Sequence, residues 1–166
     1  NGKVWVNSEI GVGSTLSFEI ELNKLKSKVP YTMFNEKRVL IVDDSKSWLI
    51  ILEHLMHSFG LNVELAQSGI DAIKMLRETP TKFDLILIDW NMPEIDGVET
   101  CKIIKEELNI DSKKIILISS YDIETIKDEI EEAQIDRYIH KPVNPSDLND
   151  TLCEIFLNKF NTKKIK

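Results

Sequence analysis

The sequence predicts an α/β fold, a doubly wound sheet of five parallel strands, preceded by a β-hairpin. Two observations predict the sheet. After residue 36, five short aliphatic runs alternate with longer segments in which apolar residues recur every three to four positions. Three of the runs are apolar nearly throughout, as are strands that are buried on both faces of a sheet. Five such β–α repeats in about 125 residues are typical of a parallel sheet with helices on both faces.

The first 36 residues follow a different pattern. Residues 3–8 and 15–22 alternate with a period of two around a glycine-containing loop, which predicts a β-hairpin. A lone hairpin is marginally stable in water, so we expect its open edge to pair with another copy at high concentration. Residues 23–36 have no period and contain Pro30, which indicates a linker. The predicted boundaries are 1–22 for the hairpin, 23–36 for the linker, 37–160 for the α/β domain and 161–166 for a tail.

Strands and helices alternate through the α/β domain. The strands are predicted at residues 38–42, 62–66, 83–88, 114–118 and 137–140. Asp44 and Ser45 mark the start of the first helix, and Gly60 marks its end. The apolar stripe predicted to face the core from this helix consists of Trp48, Ile51, Leu52, Leu55 and Phe59. The remaining helices are predicted at 69–79, 96–109, 123–133 and 146–160.

Composition and charge exclude several classes of function. The chain has 166 residues, 42% hydrophobic and 30% charged, as in a folded domain. No apolar run approaches the about 20 residues of a membrane span, so no membrane contact is expected. The net charge of −7 arises after residue 36 and disfavours nucleic-acid binding. The two cysteines, 101 and 153, have no paired spacing and predict packing residues in a reduced, cytosolic setting.

Polar residues follow four of the predicted strands. Asp43 and Asp44 follow the first, Asp89 the third, Ser119 the fourth and Lys141 the fifth. The carboxyl ends of parallel strands meet at one edge of the sheet, where α/β proteins bind ligands. Three carboxylates repel one another there, since two charges 4 Å apart cost about 4 kcal/mol at an effective dielectric of about 20. Oxygen ligands of this kind predict a site for Mg²⁺ or Mn²⁺.

The same residues suit a phosphoryl group. A divalent cation and Lys141 would neutralise its oxygen atoms, and Ser119 would donate a hydrogen bond. The carboxylate of Asp89 can then attack phosphorus and form an acyl phosphate. Taken singly, Asp44 or Ser119 is more simply explained as a helix cap or a turn residue. The placement of all five residues at strand ends favours a common site.

Four motifs resemble the receiver domain of two-component response regulators. They are V-L-I-V-D-D-S at 39–45, L-I-L-I-D-W-N-M-P-E-I-D-G at 85–97, L-I-S-S at 117–120 and Y-I-H-K-P-V at 138–143. The resemblance covers residues 37–160 and implies a flavodoxin-like (βα)5 fold in which Asp89 accepts the phosphoryl group. It also implies that Asp44 ligates Mg²⁺ directly, Asp43 through water and Asn91 through its backbone carbonyl, with Asp89 sharing the ion.

Other positions carry over from the same resemblance. Lys141 would pair with the phosphoryl oxygens, and its bond to Pro142 is expected to be cis. Residues 96–97 would form the turn into the third helix. Asn91 and Tyr121 match positions that tune hydrolysis of the acyl phosphate, and the bulk of Tyr121 is expected to slow it.

Ser119 and Tyr138 match the switch pair of receiver domains. In that family the hydroxyl moves to the phosphoryl group and the aromatic ring turns inward. This small change of charge would alter a two-state surface over 123–160. The alternative reading of Tyr138 is a half-buried strand residue with no such role.

Residues 1–22 resemble the last hairpin of a histidine-kinase ATP-binding domain. Together with the receiver motifs, this suggests part of a hybrid histidine kinase. Asp89 would then take phosphoryl from the phosphohistidine of a kinase phosphodonor domain and pass it to a histidine phosphotransfer protein. The kinase motifs themselves are not in this sequence, so this chain is expected neither to bind ATP nor to phosphorylate histidine, and only to accept the phosphoryl group and hydrolyse it slowly; whether it should be called an enzyme is left open. The resemblance implies a cytoplasmic location and leaves open a membrane anchor in the parent protein.

Several alternatives remain open at this stage. An aspartate-nucleophile phosphohydrolase would carry D-x-D after its first strand, whereas Asp43 and Asp44 are adjacent. A docking domain with a vestigial site is disfavoured by the intact set of five residues. His54 and His57 could share a metal or simply lie on a solvated helix face. Trp90 could guard the pocket or form part of its wall.

Overall fold

The structure, a computed structural model, describes residues 2–21, 34–78, 83–111, 115–133, 135 and 137–157. The chain divides into two units between residues 30 and 31. The predicted tail and most of the predicted linker lie outside the described residues.

The first unit is an antiparallel hairpin of β1 (Gly2–Glu9) and β2 (Gly13–Ile20). Val4 lies opposite Phe18 on one face of the hairpin. The next pair along that face is Val6 and Leu16. All four apolar side chains are exposed, so the predicted hairpin is confirmed, and its pairing with another copy stays a prediction.

The second unit is built on a parallel sheet with the strand order β4-β3-β5-β6-β7. Its strands are β3 (Arg38–Val42), β4 (Asn62–Ala66), β5 (Leu85–Asp89), β6 (Ile115–Ser119) and β7 (Tyr138–His140). The chain passes from β3 to β4 and then crosses to β5 on the other side of β3. This reversal makes the carboxyl ends of β3 and β5 the topological switch point, where ligands bind in such sheets. The predicted doubly wound sheet is confirmed.

Within the part of the chain that the structure describes, five helices cover the two faces of the sheet. They are α1 (Lys46–Ser58), α2 (Gly69–Glu78), α3 (Gly97–Glu106), α4 (Ile123–Glu132) and α5 (Pro145–Leu157). The third helix ends before residue 109, the predicted end, because Asn109 has a positive φ of 53° that does not continue a right-handed helix. No helix in the described part of the chain is long and apolar enough to cross a membrane.

The strands of this sheet are buried on both faces, as their apolar runs predict. Leu40 and Ile88 pack in one cluster of buried residues, with side chains from α2, α3 and α4. Ile41 and Leu87 pack in a second cluster, with side chains from α1 and α5. The alternation follows from the pleat, which sends successive side chains to opposite faces.

The apolar stripe predicted for α1 is wrong at Ile51, which is 53% exposed. One residue is about 100° of helix rotation, so Ile51 points well away from its buried neighbour Leu52. The other predicted members of the stripe pack against the core. The buried face of α1 consists of Leu49, Leu52 and Met56.

The second unit also includes residues that the sequence places in the linker. Phe34 is buried, and its ring centroid lies 5.4 Å from that of Phe156 on α5. The ammonium group of Lys37 lies 5.7 Å from the same Phe156 ring. The packed domain therefore starts before residue 37, where the aperiodic sequence gives no indication of it.

The two cysteines differ in reactivity because they differ in burial. Cys101 is fully buried on α3, and burial raises the pKa of its thiol to about 12. Cys153 is partly exposed, and neither residue is in a disulfide. Since the thiolate is the reacting form, we expect iodoacetamide at about pH 8 to alkylate Cys153 in the native protein and Cys101 only after unfolding.

Peptide mass mapping of native and urea-unfolded protein measures this difference. A Cys153→Ser variant serves as the control and is expected to remain unlabelled until it unfolds. Equal alkylation of both cysteines in the native protein would contradict the burial of Cys101.

Candidate functional site

Three carboxylates meet at the carboxyl ends of two adjacent strands. Asp43 follows β3, Asp44 is the next residue, and Asp89 ends β5. One oxygen from each lies within 4.8 Å of the others. Asp43 and Asp89 are buried, whereas Asp44 is exposed. The structure thus brings together the acidic residues that the strand ends predict.

Lys141 connects the two buried carboxylates. Its Nζ lies 2.8 Å from Asp43 Oδ2 and 2.7 Å from Asp89 Oδ1, and its side chain is 8% exposed. Strand β6 separates β7 from β5, so the lysine side chain extends over the end of β6 to reach Asp89. The backbone N–H of Lys141 donates to the carbonyl of Ser119 at 2.7 Å, and the bond to Pro142 is cis, as expected.

The charges in this cluster do not balance. Burial raises the pKa of Asp89, the hydrogen bond from Lys141 opposes this, and the charge of Asp43 adds to it, so that the pKa lies above its usual value. Burial lowers the pKa of Lys141, but its bonds to Asp43 and Asp89 raise it further than burial lowers it. Two carboxylates at most 4.8 Å apart repel by at least about 3 kcal/mol at an effective dielectric of about 20. One ammonium group faces three such carboxylates, which favours a further cation.

The same local turn fixes three of the polar side chains. In each turn, the side chain at a strand end accepts a hydrogen bond from the backbone N–H two residues later, as short polar side chains do in turns. The bonds are Ser45 N to Asp43 Oδ1 at 2.8 Å, Asn91 N to Asp89 Oδ2 at 3.1 Å and Tyr121 N to Ser119 Oγ at 3.0 Å. These turns orient the side chains before any ligand binds.

An open cavity of about 360 Å³ lies above the cluster. Its lining consists of Asp43, Asp44, Ser45, Trp48, Asp89, Asn91, Ser120, Tyr121 and Lys141. Ser119 is fully buried and is not part of this lining, so its hydroxyl lies behind the cavity rather than in it. Ser120, which ends the L-I-S-S motif but has no role assigned from the sequence, lines the cavity instead.

Tyr138 is half-buried and connected to Ser119. Its hydroxyl donates a hydrogen bond to the backbone carbonyl of Tyr121. Burial raises the pKa of the Tyr138 phenol, and a hydrogen bond to the Ser119 side chain opposes this. The two residues of the predicted switch pair are therefore in contact.

The start of α3 packs directly on the backbone of Asp89. The side chain of Asp96 caps the helix by accepting from the N–H of Glu99 at 2.8 Å, and the N–H of Gly97 donates to the carbonyl of Trp90 at 2.8 Å. A Cβ atom at residue 97 would lie 2.3 Å from the Asp89 carbonyl oxygen, so only glycine fits there without a shift. The predicted turn at 96–97 is confirmed.

Trp48 is the residue of this cavity that sequence reasoning assigned to the core alone. Its ring centroid lies 4.8 Å from Lys141 Nζ. Trp48 lies in the first turn of α1, the helix that begins directly after Asp43 and Asp44, and this position is the signal in the sequence that it lies near the site. Trp90, by contrast, is buried in the core and does not line the cavity.

The two histidines of α1 are not part of a cluster of three or more metal-ligating side chains among the described residues. Nδ1 of His54 is hydrogen-bonded to the carbonyl of Ile50 at 2.8 Å, and Nδ1 of His57 to the carbonyl of Leu61 at 3.0 Å. The metal-ligating cluster found among the described residues is that of the three aspartates.

Comparison with known proteins identifies relatives of the domain. Residues 39–153 match the response regulator receiver domain. The autoinducer 2 sensor kinase/phosphatase LuxQ of Vibrio vulnificus is 31% identical over 160 residues, which cover 91% of this chain and 18% of that protein. The transcriptional regulatory protein ZraR of Salmonella typhimurium is 39% identical over 114 residues, covering 69% of this chain and 25% of that protein. This chain therefore corresponds to a quarter or less of the length of these two relatives.

A solved structure shares the fold. The chemotaxis protein CheY4 of Vibrio cholerae aligns with a TM-score of 0.64 and 28% identity, covering 72% of this chain and 98% of that one. A five-stranded parallel α/β sheet, with acidic residues at the topological switch point between its strands, is the fold of the CheY-like class of receiver domains. The sequence match over residues 39–153 identifies the family as well as the fold. The chain belongs to the family of response regulator receiver domains of two-component systems.

Proposed function

We propose that Asp89 accepts a phosphoryl group from a phosphohistidine. The observation that carries the proposal is the position of the Lys141 ammonium group, 2.7 Å from the buried Asp89 carboxylate and beside two further carboxylates in an open cavity. Membership of the receiver family supports a phosphoacceptor role for the domain. Perturbed ionisable groups gathered in a cleft are typical of functional sites.

The transfer uses groups that are already in place. An Asp89 oxygen forms a bond to phosphorus while the bond from phosphorus to the imidazole nitrogen breaks. The electron pair of that bond stays on the nitrogen. The ring leaves as a neutral imidazole if its other nitrogen carries a proton, and otherwise takes a proton from solvent. Lys141 would pair with the oxygens of the transferred group, because its ammonium lies next to Asp89.

A divalent cation fits the acidic cluster. Asp43, Asp44 and Asp89 offer oxygen atoms within 4.8 Å of one another, and hard oxygen ligands of this kind suit Mg²⁺ or Mn²⁺. The backbone carbonyl of Asn91 would complete the protein's contribution. When bound, the cation would neutralise negative charge on the phosphoryl oxygens.

Ser119 and Tyr138 would carry the signal from the site. The Ser119 hydroxyl would leave its bond to the N–H of Tyr121 and donate to the phosphoryl group. Since Tyr138 contacts both Ser119 and the carbonyl of Tyr121, its position would change with theirs. The surface formed by α4, β7 and α5 would then present a different face to a partner.

The parent protein would be a hybrid sensor kinase in the cytoplasm or with a membrane anchor. The match to LuxQ covers more of the chain than residues 39–166 could supply, so it includes part of the segment before the receiver domain. That relative is a sensor kinase/phosphatase by its name. A kinase phosphodonor domain would supply the phosphoryl group, and a histidine phosphotransfer protein would receive it from Asp89.

Replacement of Asp89 tests the acceptor directly. With acetyl phosphate and Mg²⁺, we expect one phosphoryl group on the wild-type protein, seen on a Phos-tag gel and assigned to Asp89 by peptide mass spectrometry. Asp89→Asn is expected to abolish labelling, because an amide oxygen does not form the acyl phosphate. Asp128→Asn, an exposed aspartate on α4, is the control and should label normally. Labelling that persists in Asp89→Asn would refute the proposal.

Replacement of Asp44 tests the cation site without any phosphoryl donor. A cation that binds only the folded state at about 100 times its dissociation constant raises the free energy of unfolding by about 2.7 kcal/mol. We expect Mg²⁺ to raise the Tm of the wild type and of Asp128→Asn, and to raise that of Asp44→Ala much less. An equal shift in all three proteins would place the binding of Mg²⁺ elsewhere.

Replacement of Tyr121 tests control of the phosphoryl lifetime. Tyr121 lines the cavity with 48% of its surface exposed, where its ring can shield the acyl phosphate from water. We expect Tyr121→Glu to lose the phosphoryl group several times faster, because the ring no longer shields the acyl phosphate and a carboxylate orients an attacking water. Tyr121→Phe keeps the ring and should decay like the wild type. Equal decay of all three after removal of acetyl phosphate would contradict the shielding role.

A further inference from the structure

Lys141 has a third neighbour besides the two carboxylates. The ring centroid of Trp48, on the first turn of α1, lies 4.8 Å from its Nζ atom. The lysine side chain is 8% exposed, so this contact is largely shielded from water. The ammonium group is thus held between an aromatic face and the carboxylates of Asp43 and Asp89.

We propose that Trp48 is a positioning residue that holds Lys141 beside Asp89 through a cation–π contact. The inference rests on the phosphoacceptor function proposed above. The face of an indole ring is negative, and indole attracts cations more strongly than the rings of tyrosine or phenylalanine. The attraction is greatest where water is excluded, as it largely is at Lys141.

Contacts with the carboxylates alone do not fix the position of the Lys141 side chain. A divalent cation in the acidic cluster would compete with Lys141 for the negative charge of Asp43 and Asp89, and its charge would repel the ammonium group. Lysine has a flexible stem and would otherwise take other rotamers. The Trp48 ring carries no formal charge and is not a ligand for hard cations, so its attraction for Lys141 persists whether or not the carboxylates are engaged.

The position of the Trp48 ring does not depend on Lys141. Helix α1 is fixed to the sheet by its buried residues Leu49 and Leu52, and Trp48 itself packs against the same core cluster. The ring is therefore in place before the lysine adopts its rotamer. A group prepositioned in this way orders a flexible side chain at little further entropic cost.

A double-mutant cycle in metal-free buffer tests the contact itself. We expect Trp48→Leu to lower the folding equilibrium constant more in the wild type than in Lys141→Met. The difference should be a factor of about five to thirty, the span from an exposed to a desolvated cation–π contact. Trp48→Phe should show a smaller coupling to Lys141. Urea unfolding of the single and double variants in EDTA gives the constants, and effects that are additive would overturn the proposal.

Labelling of Asp89 by acetyl phosphate provides a second test that does not require Lys141→Met to fold. We expect the initial rate to fall about five- to thirtyfold in Trp48→Leu and less in Trp48→Phe. Trp5→Leu makes the same substitution in the hairpin and should label at the wild-type rate. A wild-type rate in Trp48→Leu, or equal losses in Trp48→Leu and Trp48→Phe, would overturn the positioning role.

The two tests separate this proposal from the function on which it rests. Failure of the wild type to label at Asp89 would refute the phosphoacceptor function. The unfolding cycle would still measure the coupling between Trp48 and Lys141, because it uses neither a cation nor a phosphoryl donor.

Discussion

A single ammonium group compensates two buried carboxylates, and the arrangement of the site depends on this interaction. Asp43 and Asp89 lie on adjacent strands, so their side chains converge wherever the sheet forms. Leaving either carboxylate buried without a partner would cost several kcal/mol, of the order of 3–5. Lys141 removes that cost only because β7 ends two strands away from β5, within reach of a lysine side chain. Apolar residues of similar size would often be as stable or more stable, so the presence of this buried charged set in a cleft points to function rather than stability.

Rigid backbone surrounds this charged set. Asp43 and Asp89 each accept a backbone N–H from the residue two positions later, and α3 begins against the carbonyl of Asp89 because residue 97 is glycine. Asp43 and Asp89 are therefore held by strand ends and turns, while the exposed Asp44 and the cavity above them remain accessible. Preorganisation of this kind lowers the cost of orienting groups when a ligand arrives.

The sequence predicts most of this site because parallel strands bring their ends together. Knowing only that Asp43 and Asp89 follow buried parallel strands is enough to place them at the same edge of the sheet, and the observed strand order then puts them side by side. The sequence does not predict contacts that depend on how separate elements pack. Phe34 is buried against Phe156, which lies far from it in the sequence. The contact of Trp48 with Lys141 likewise joins residues that are distant in the sequence. The exposure of Ile51 depends on the rotation of α1 about its axis, which a three-to-four spacing leaves uncertain by about one residue.

The backbone of Tyr121 makes two hydrogen bonds that connect the end of β6 to Tyr138 on β7. Its N–H donates to the Ser119 hydroxyl, and its carbonyl accepts from Tyr138. A Ser119 hydroxyl that turned toward a phosphoryl group would release the first bond, and the freed N–H would need a new partner. Residue 121 lies two positions before α4, which begins at Ile123, so an adjustment there would reach the helix directly. One residue thus links Ser119 at the end of β6 to Tyr138 on β7 and to the start of α4.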